Sequence, residues 1–161
     1  MSETLSRRRH GRSHHGAMRI DSTVPQGFLP SDLDEGFLVH VGPLYMRPHR
    51  KESREFVLAL RAGAQHANRY GVVHGGLLAT LADTAIGANL ARTGAGSSVD
   101  TTLTVNLTLN YIAGAQVGDW IEAHVRLVKG HGRVRFGECD VVCGEKLLVQ
   151  ASASFYVPAP R

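Results

Sequence analysis

From Gly75 to Arg92 the chain reads Gly-Gly-Leu-Leu-Ala-Thr-Leu-Ala-Asp-Thr-Ala-Ile-Gly-Ala-Asn-Leu-Ala-Arg. This stretch constrains the fold more than any other. Leu77, Leu78, Leu81, Ala82, Ala85, Ile86, Ala88, Leu90 and Ala91 leave no wide polar stripe at helical spacing. A helix that is apolar nearly all round has to be covered on nearly all sides. The spacing predicts one buried helix over residues 75–92, roughly 27 Å long.

The rest of the chain must supply the cover, and its periodicity is that of strands. Leu103, Val105, Leu107, Leu109 and Tyr111 alternate with Thr102, Thr104, Asn106, Thr108 and Asn110. That is a period of two, with one apolar and one polar face. Trp120–Val128, Arg133–Val142 and Leu147–Tyr156 read as further strands, separated by Gly118-Asp119, Gly130-His131-Gly132 and Gly144-Glu145 turns. Upstream, Phe37 to Met46 and the alternating run from Phe56 to Ala64 are expected to be strands, and residues 20–36 a loop, with or without a short helix. The expected fold class is α+β. A curved antiparallel sheet of about six strands wraps one long central helix.

At 161 residues, with 43% hydrophobic and 20% charged residues, the chain fits one ordinary globular domain. No apolar run approaches the ~18 residues that a bilayer crossing requires, so no membrane partner is expected. Two cysteines cannot build a disulfide framework, which points to a reducing, cytoplasmic setting. The net charge of +4 is carried entirely by residues 1–19, where Arg7, Arg8, Arg9, Arg12 and Arg19 face only Glu3. The division is therefore a basic tail, residues 1–24, and a domain, residues 25–161. Having almost nothing apolar to bury, the tail is expected to be disordered. No apolar stretch follows its arginines, which argues against a secretory signal. The neutral body argues against a nucleic-acid partner, which wants a basic face on the folded domain.

Asp83 is the one charged residue between Arg69 and Arg92. A carboxylate in a helix that wants burial is either held by hydrogen bonds or functional, and burial alone raises its pKa. His74-Gly75-Gly76 falls where the helix begins, where first-turn N–H groups lack partners and the dipole is positive. Glycine there lets an oxygen approach the backbone as in an oxyanion hole; the plainer reading is a tight turn. Asp83 lies eight residues beyond Gly75, roughly 12 Å along a helix axis, too far for both to act on one bond. If they act together, Asp83 must come from a second copy of the chain, at a dimer interface.

The pattern His66-x-Asn68-x-x-Gly71-x-x-His74-Gly75-Gly76, followed by Leu81-Ala82-Asp83-x-Ala85-x-Gly87, resembles hotdog-fold acyl-CoA thioesterases of the phenylacetate-pathway, PaaI-like family. Thr104-Val105-Asn106-Leu107 and Tyr111 through Gly118-Asp119 are similar to that family's next strand and turn, so the resemblance covers about residues 36–157. It implies a sheet around one helix, in homodimers or tetramers built as dimers of dimers. It also implies an acyl-CoA substrate hydrolysed without metal, with coenzyme A belonging to the substrate and no separate cofactor. By the same resemblance Asp83 is the catalytic base or nucleophile and the Gly75 N–H polarises the thioester carbonyl. Asn68 orients the carbonyl or water, His74 shapes the loop, and Thr104 holds water beside Asp83. Asn106 departs from the pattern by standing where relatives often carry an acid.

A Gly-x-Ser-x-Gly nucleophile motif is absent, and His66 and His74 lack a third metal ligand at recognisable spacing. Arg69, next to Asn68, is a candidate for the phosphates of coenzyme A. Lys129, Arg133 and Arg135 around a glycine turn are either further phosphate contacts or solvated turn charges. Cys139 and Cys143 read as buried free thiols; Trp120 and His124 read as packing or interface residues. Two rival functions are a non-catalytic acyl-CoA sensor, which would not need Asp83, and a hotdog hydratase or dehydratase.

Overall fold

The computed structural model describes residues 23–51, 54–94 and 99–159; the expected basic tail lies outside these, its last two positions excepted. In chain order the elements are β1 (Leu29–Pro30), α1 (Leu38–Val41), β2 (Tyr45–Pro48), β3 (Phe56–Arg61), a 3-10 turn (Ala64–His66), α2 (Gly75–Ala91), β4 (Leu103–Tyr111), β5 (Trp120–Lys129), β6 (Val134–Cys143) and β7 (Lys146–Tyr156). The strands form one antiparallel sheet in the order β1-β2-β3-β5-β6-β7-β4. It packs through β3 to β7 against α2. A sheet curled round one long helix is the hotdog arrangement.

The fit between helix and sheet is close where side chains are smallest. A Cβ on Gly137 of β6 would stand 2.7 Å from Ile86 Cγ2, and one on Gly87 would stand 2.8 Å from the Phe155 ring. Asn89 is the buried polar exception on α2, and every polar atom of its side chain is used. Its Oδ1 accepts from the Phe56 N–H at 2.9 Å, and its Nδ2 donates to the carbonyls of Phe56 and Ala85 at 3.0 and 2.9 Å. The helix thus pairs with the start of β3 through one amide.

Two expectations fail in the first third of the domain, and the loop expected before them is met in part. Phe37 to Met46 is not one strand: α1 occupies Leu38–Val41, and β2 begins only at Tyr45. Leu38 and Val41, three apart, turn inward, while Phe37 and Val39 are exposed, so only helical spacing puts the right residues on the core. No helix lies between residues 23 and 36, where β1 adds the seventh strand. The run from Phe56 ends as a strand at Arg61, and Ala64 enters the 3-10 turn. Residues Phe56 to Leu60 are buried on both faces. Leu58 and Leu60 meet the main core; Val57 and Ala59 lie under Phe28, with Val24, Tyr45 and Trp120 beside it.

The later strands match the expected ones to within a residue or two at each end. The β5–β6 and β6–β7 hairpins turn at Gly132 and Gly144, with φ of +81° and +58°. β4 departs from strict alternation. Its register against β7 jumps from Thr104 opposite Phe155 to Asn106 opposite Ser154, which leaves Val105 as a bulge. Leu107 and Leu109 pack on the core and Val105 is 66% exposed.

Replacing Gly137 by Val drives a branched side chain into Ile86. We expect a loss of roughly 1–3 kcal/mol of stability, read as a lower urea midpoint at unchanged slope. An unchanged midpoint would show that the helix does not seat on β6 as described.

Candidate active site

The loop from Gly63 to His74 leads into α2 and is tied at several points. His66 is buried, with Nδ1 accepting from the Gly63 N–H at 2.9 Å and Nε2 lying 2.9 Å from the Val41 carbonyl. One neutral tautomer satisfies both contacts, with the proton on Nε2. The carbonyl of His66 accepts from the His74 N–H. Asn68 builds the turn that follows: its Oδ1 accepts from the Tyr70 N–H at 2.8 Å and its carbonyl from the Gly71 N–H. Its side-chain oxygen is thus held by the loop, and its amide NH2 has no acceptor among the described residues.

His74 is the N-cap of α2, and its Nδ1 accepts from the Gly76 N–H at 2.8 Å. The Leu77 N–H donates to the His74 carbonyl. These bonds occupy two of the donors that a helix start leaves over. No described residue accepts from the Gly75 N–H, so it is the open donor at the positive end of the helix. The ring of Tyr111, from the end of β4, lies over this point. Its hydroxyl donates to the Gly75 carbonyl at 2.9 Å, and a Cβ at residue 75 would be 3.2 Å from the ring. The sequence alone does not mark Tyr111 as a site residue; its place on the Leu107–Leu109 face is the one signal that aims it at the helix.

Asp83 is half-buried and accepts from the Thr104 hydroxyl at 2.9 Å. Burial raises its pKa from the ordinary carboxylate value, and the Thr104 hydrogen bond partly lowers it. It forms no ion pair among the described residues. Simple alternation puts Thr104 on the face opposite Leu107, away from the helix. The Val105 bulge resets the phase, so that Thr104, Leu107 and Leu109 all reach the helix side. Gly75 and Asp83 therefore meet opposite ends of β4, and in one copy of the chain they stay apart.

The cationic candidates divide. Arg69 is exposed on its loop beside the Tyr70 ring, and Arg133 is exposed at the β5–β6 turn beside the Tyr156 ring. Arg135 is 6% exposed, and its guanidinium donates to Gly132, Leu90, Thr93 and Asp100. With those donors engaged inside the fold it has no free edge for a phosphate, so the coenzyme A contact expected of it is withdrawn. Cys139 is buried, and burial with Asp140 nearby pushes its thiol up to about 12. Cys143 is only half-buried, and burial ahead of Asp119 raises its pKa as well. Neither is an activated nucleophile. Trp120 and His124 both hydrogen-bond to Glu122. Among the described residues no group of three or more His, Cys, Asp or Glu side chains could hold a metal, and no described helix is long and apolar enough to cross a membrane.

The Thioesterase superfamily sequence model matches residues 70–150, from the loop before α2 into β7. The Pseudomonas aeruginosa protein named "Putative esterase PA0474" is 37% identical over 135 residues, covering 84% of this chain and 98% of that protein. The chain belongs to the thioesterase superfamily. Solved structures share the fold. A Bacillus halodurans protein crystallised with CoA is 24% identical, with a TM-score of 0.62, over 72% of this chain and 74% of that one. A variant of the phenylacetic acid degradation protein PaaI from Thermus thermophilus is 23% identical, with a TM-score of 0.64, over 76% of this chain and 98% of that one.

Asp83 carries a testable sign. Its raised pKa means that the folded chain binds a proton more tightly than the unfolded one. Between the unfolded and folded values, stability falls as pH rises. Asn keeps an acceptor for Thr104 without the charge. Asp83→Asn is thus expected to match the parent near pH 3 and to melt at a higher temperature at pH 7. An equal or lower melting temperature at pH 7 would contradict the burial effect.

Proposed function

We propose that this chain is an acyl-CoA thioesterase, hydrolysing the thioester to a free carboxylic acid and coenzyme A. The observation that carries the reading is the pairing of an open Gly75 N–H at a helix start with a hydroxyl-supported, half-buried Asp83. The first stabilises negative charge on a carbonyl oxygen; the second takes a proton from water or attacks the carbonyl carbon. With Asp83 as base, water adds to the carbonyl carbon and its proton passes to the carboxylate. The tetrahedral intermediate then expels the thiolate, which is reprotonated. Thr104 steadies the carboxylate and the water beside it. Asn68 orients the carbonyl through its amide, and His74 holds the glycine turn. Arg69, Arg133 and Lys129, all exposed, are the cations left to meet the phosphates of coenzyme A. The CoA in the Bacillus halodurans neighbour supports this substrate class.

The working unit in this proposal is a homodimer, or a tetramer made of two. β4 is the last strand of the sheet, and Leu103, Val105, Tyr111 and Ile112 are more than half exposed there. An unpaired apolar edge of this length is a template for a second strand. Two β4 strands paired antiparallel set the Thr104 end of one beside the Tyr111 end of the other. That brings Asp83 of one copy toward Gly75 of its mate, as the roughly 12 Å separation along one helix demands.

A panel of short, medium and aromatic acyl-CoAs, followed by free-thiol release, tests the chemistry. Release that falls at least a hundredfold, on the order expected for loss of a general base, is the predicted result for Asp83→Asn. Tight binding without release would point instead to a sensor, and hydration of an enoyl-CoA to a hydratase.

The shared site has its own test. Asp83→Ala and Gly75→Pro subunits, each inactive, should regain activity on mixing, since one site of a mixed dimer keeps both halves. No recovery despite demonstrated subunit exchange would refute it. Val105→Lys, which places a charge in the β4 edge, should shift the protein toward monomer in sedimentation and lower activity in parallel.

A further inference from the structure

Arg135 is a buried cation that the proposed chemistry leaves unused. From β6 its Nε donates to the Gly132 carbonyl at 3.1 Å. One Nη reaches the Leu90 carbonyl at 2.7 Å and the Thr93 hydroxyl at 3.1 Å; the other meets Asp100 Oδ2 at 2.6 Å. Leu90 lies in the last turn of α2, where carbonyls lack helical partners and a cation suits the dipole. Asp100 is fastened a second time, its N–H donating to the Ala91 carbonyl at 2.9 Å. One guanidinium therefore joins the end of the helix, the approach to β4 and the β5–β6 turn.

From that fastening a regular series of contacts runs back along α2. The Asp100 N–H meets Ala91, the Thr102 hydroxyl meets the Gly87 carbonyl at 3.2 Å, and the Thr104 hydroxyl meets Asp83 at 2.9 Å. Each step advances two residues along the extended chain and four residues back along the helix. Two extended residues rise ~6.7 Å and four helical residues ~6 Å, so the lengths match and the rungs stay in step. From Leu103 onward β4 is also held in register by β7, so the stretch that depends on these rungs is residues 100–102. Arg135 fixes it through Asp100.

We infer that Arg135 is a positioning residue for Asp83, anchoring a three-rung ladder between the approach to β4 and α2 whose last rung is the Thr104–Asp83 hydrogen bond. The inference rests on the thioesterase reading for its kinetic consequences but not for its geometry. Without the anchor residues 100–102 fray, and Thr104, between that freed approach and the bulge, turns from the carboxylate. Asp83 then loses the hydrogen bond that favours its charged form and keeps the burial that opposes it. No ion pair among the described residues compensates. A base that must be ionised then works only at higher pH.

The test compares Arg135→Met, Arg135→Lys and Asp100→Ala in the full-length chain, each checked for folding by circular dichroism. Two readouts are taken across pH: kcat and KM for thiol release, and the titration of the Asp83 carboxyl by carbon NMR. For Arg135→Met and Asp100→Ala we expect kcat to drop on the order of ten- to a hundredfold. KM should stay within about twofold, while the acid limb of kcat and the Asp83 titration both move to higher pH. The lysine variant should recover part of each effect, since an ammonium still reaches Asp100 or Leu90 but not all four partners. A folded variant whose Asp83 titrates as in the parent overturns the inference, whatever its kcat. Should Arg135→Met not fold, Asp100→Ala releases the strand end alone and must show the same displacement. Absence of thiol release from the parent would refute the proposed function; the NMR titration would still decide the ladder.

Discussion

A helix without a polar face must be enclosed, and most of this structure is the means of enclosing α2. Five strands, β3 to β7, meet it. Gly137 and Gly87 let the sheet come within van der Waals distance of the helix and Asn89 ties it to β3. Each contact removes apolar surface from water, the main favourable contribution to folding. The enclosure ends at β4, the outermost strand, and there the one acid of the helix lies half-buried. A position further under the sheet would cost the carboxylate its charge; a fully exposed one would leave it an ordinary aspartate. Its place at the rim gives it a raised pKa and access to solvent together.

The legible parts of the fold are those whose signals are local. The apolar helix and the β5–β6–β7 hairpins follow from spacing and glycine turns alone, because each of those residues serves one core. The first third of the domain is hard to read from its sequence for the opposite reason. Apolar residues there serve three surfaces: Leu38 and Val41 the main core, Phe28 and Val57 the small core on the far side, and Phe37 and Val39 neither. A single hydrophobic period cannot describe three destinations.

What the sequence withholds about the candidate site is its arrangement. Strict alternation along β4 and a role for Thr104 beside Asp83 cannot both hold, and the Val105 bulge is what removes the conflict. One inserted residue leaves no mark in composition or period, so nothing in the sequence announces it. Arg135 is the complementary case. A basic residue beside a glycine turn reads as solvated, and only the three-dimensional convergence of Gly132, Leu90, Thr93 and Asp100 reveals it as internal. Buried arginine is rare because its desolvation must be offset by filled donor positions, and here backbone carbonyls and a carboxylate fill them.

The two ends of α2 are thereby treated in opposite ways by the same electrostatics. At the C-terminal end, orphan carbonyls are satisfied internally: Arg135 and Thr93 take Leu90, and Asp100 takes Ala91. At the N-terminal end His74 takes up the Gly76 N–H and the Leu77 N–H, yet the Gly75 N–H finds no acceptor among the described residues, while the Tyr111 hydroxyl donates to the Gly75 carbonyl. Backbone donors near protein surfaces are usually met by a cap or by water. A cap that closes neighbouring donors and spares one defines a single direction of approach. On the proposed reading a carbonyl oxygen arrives along it, and the base that completes the reaction comes from the other copy, the Asp83 of the same copy lying about two helical turns away. Catalysis is then a property of the pair, because neither copy places both groups on one bond.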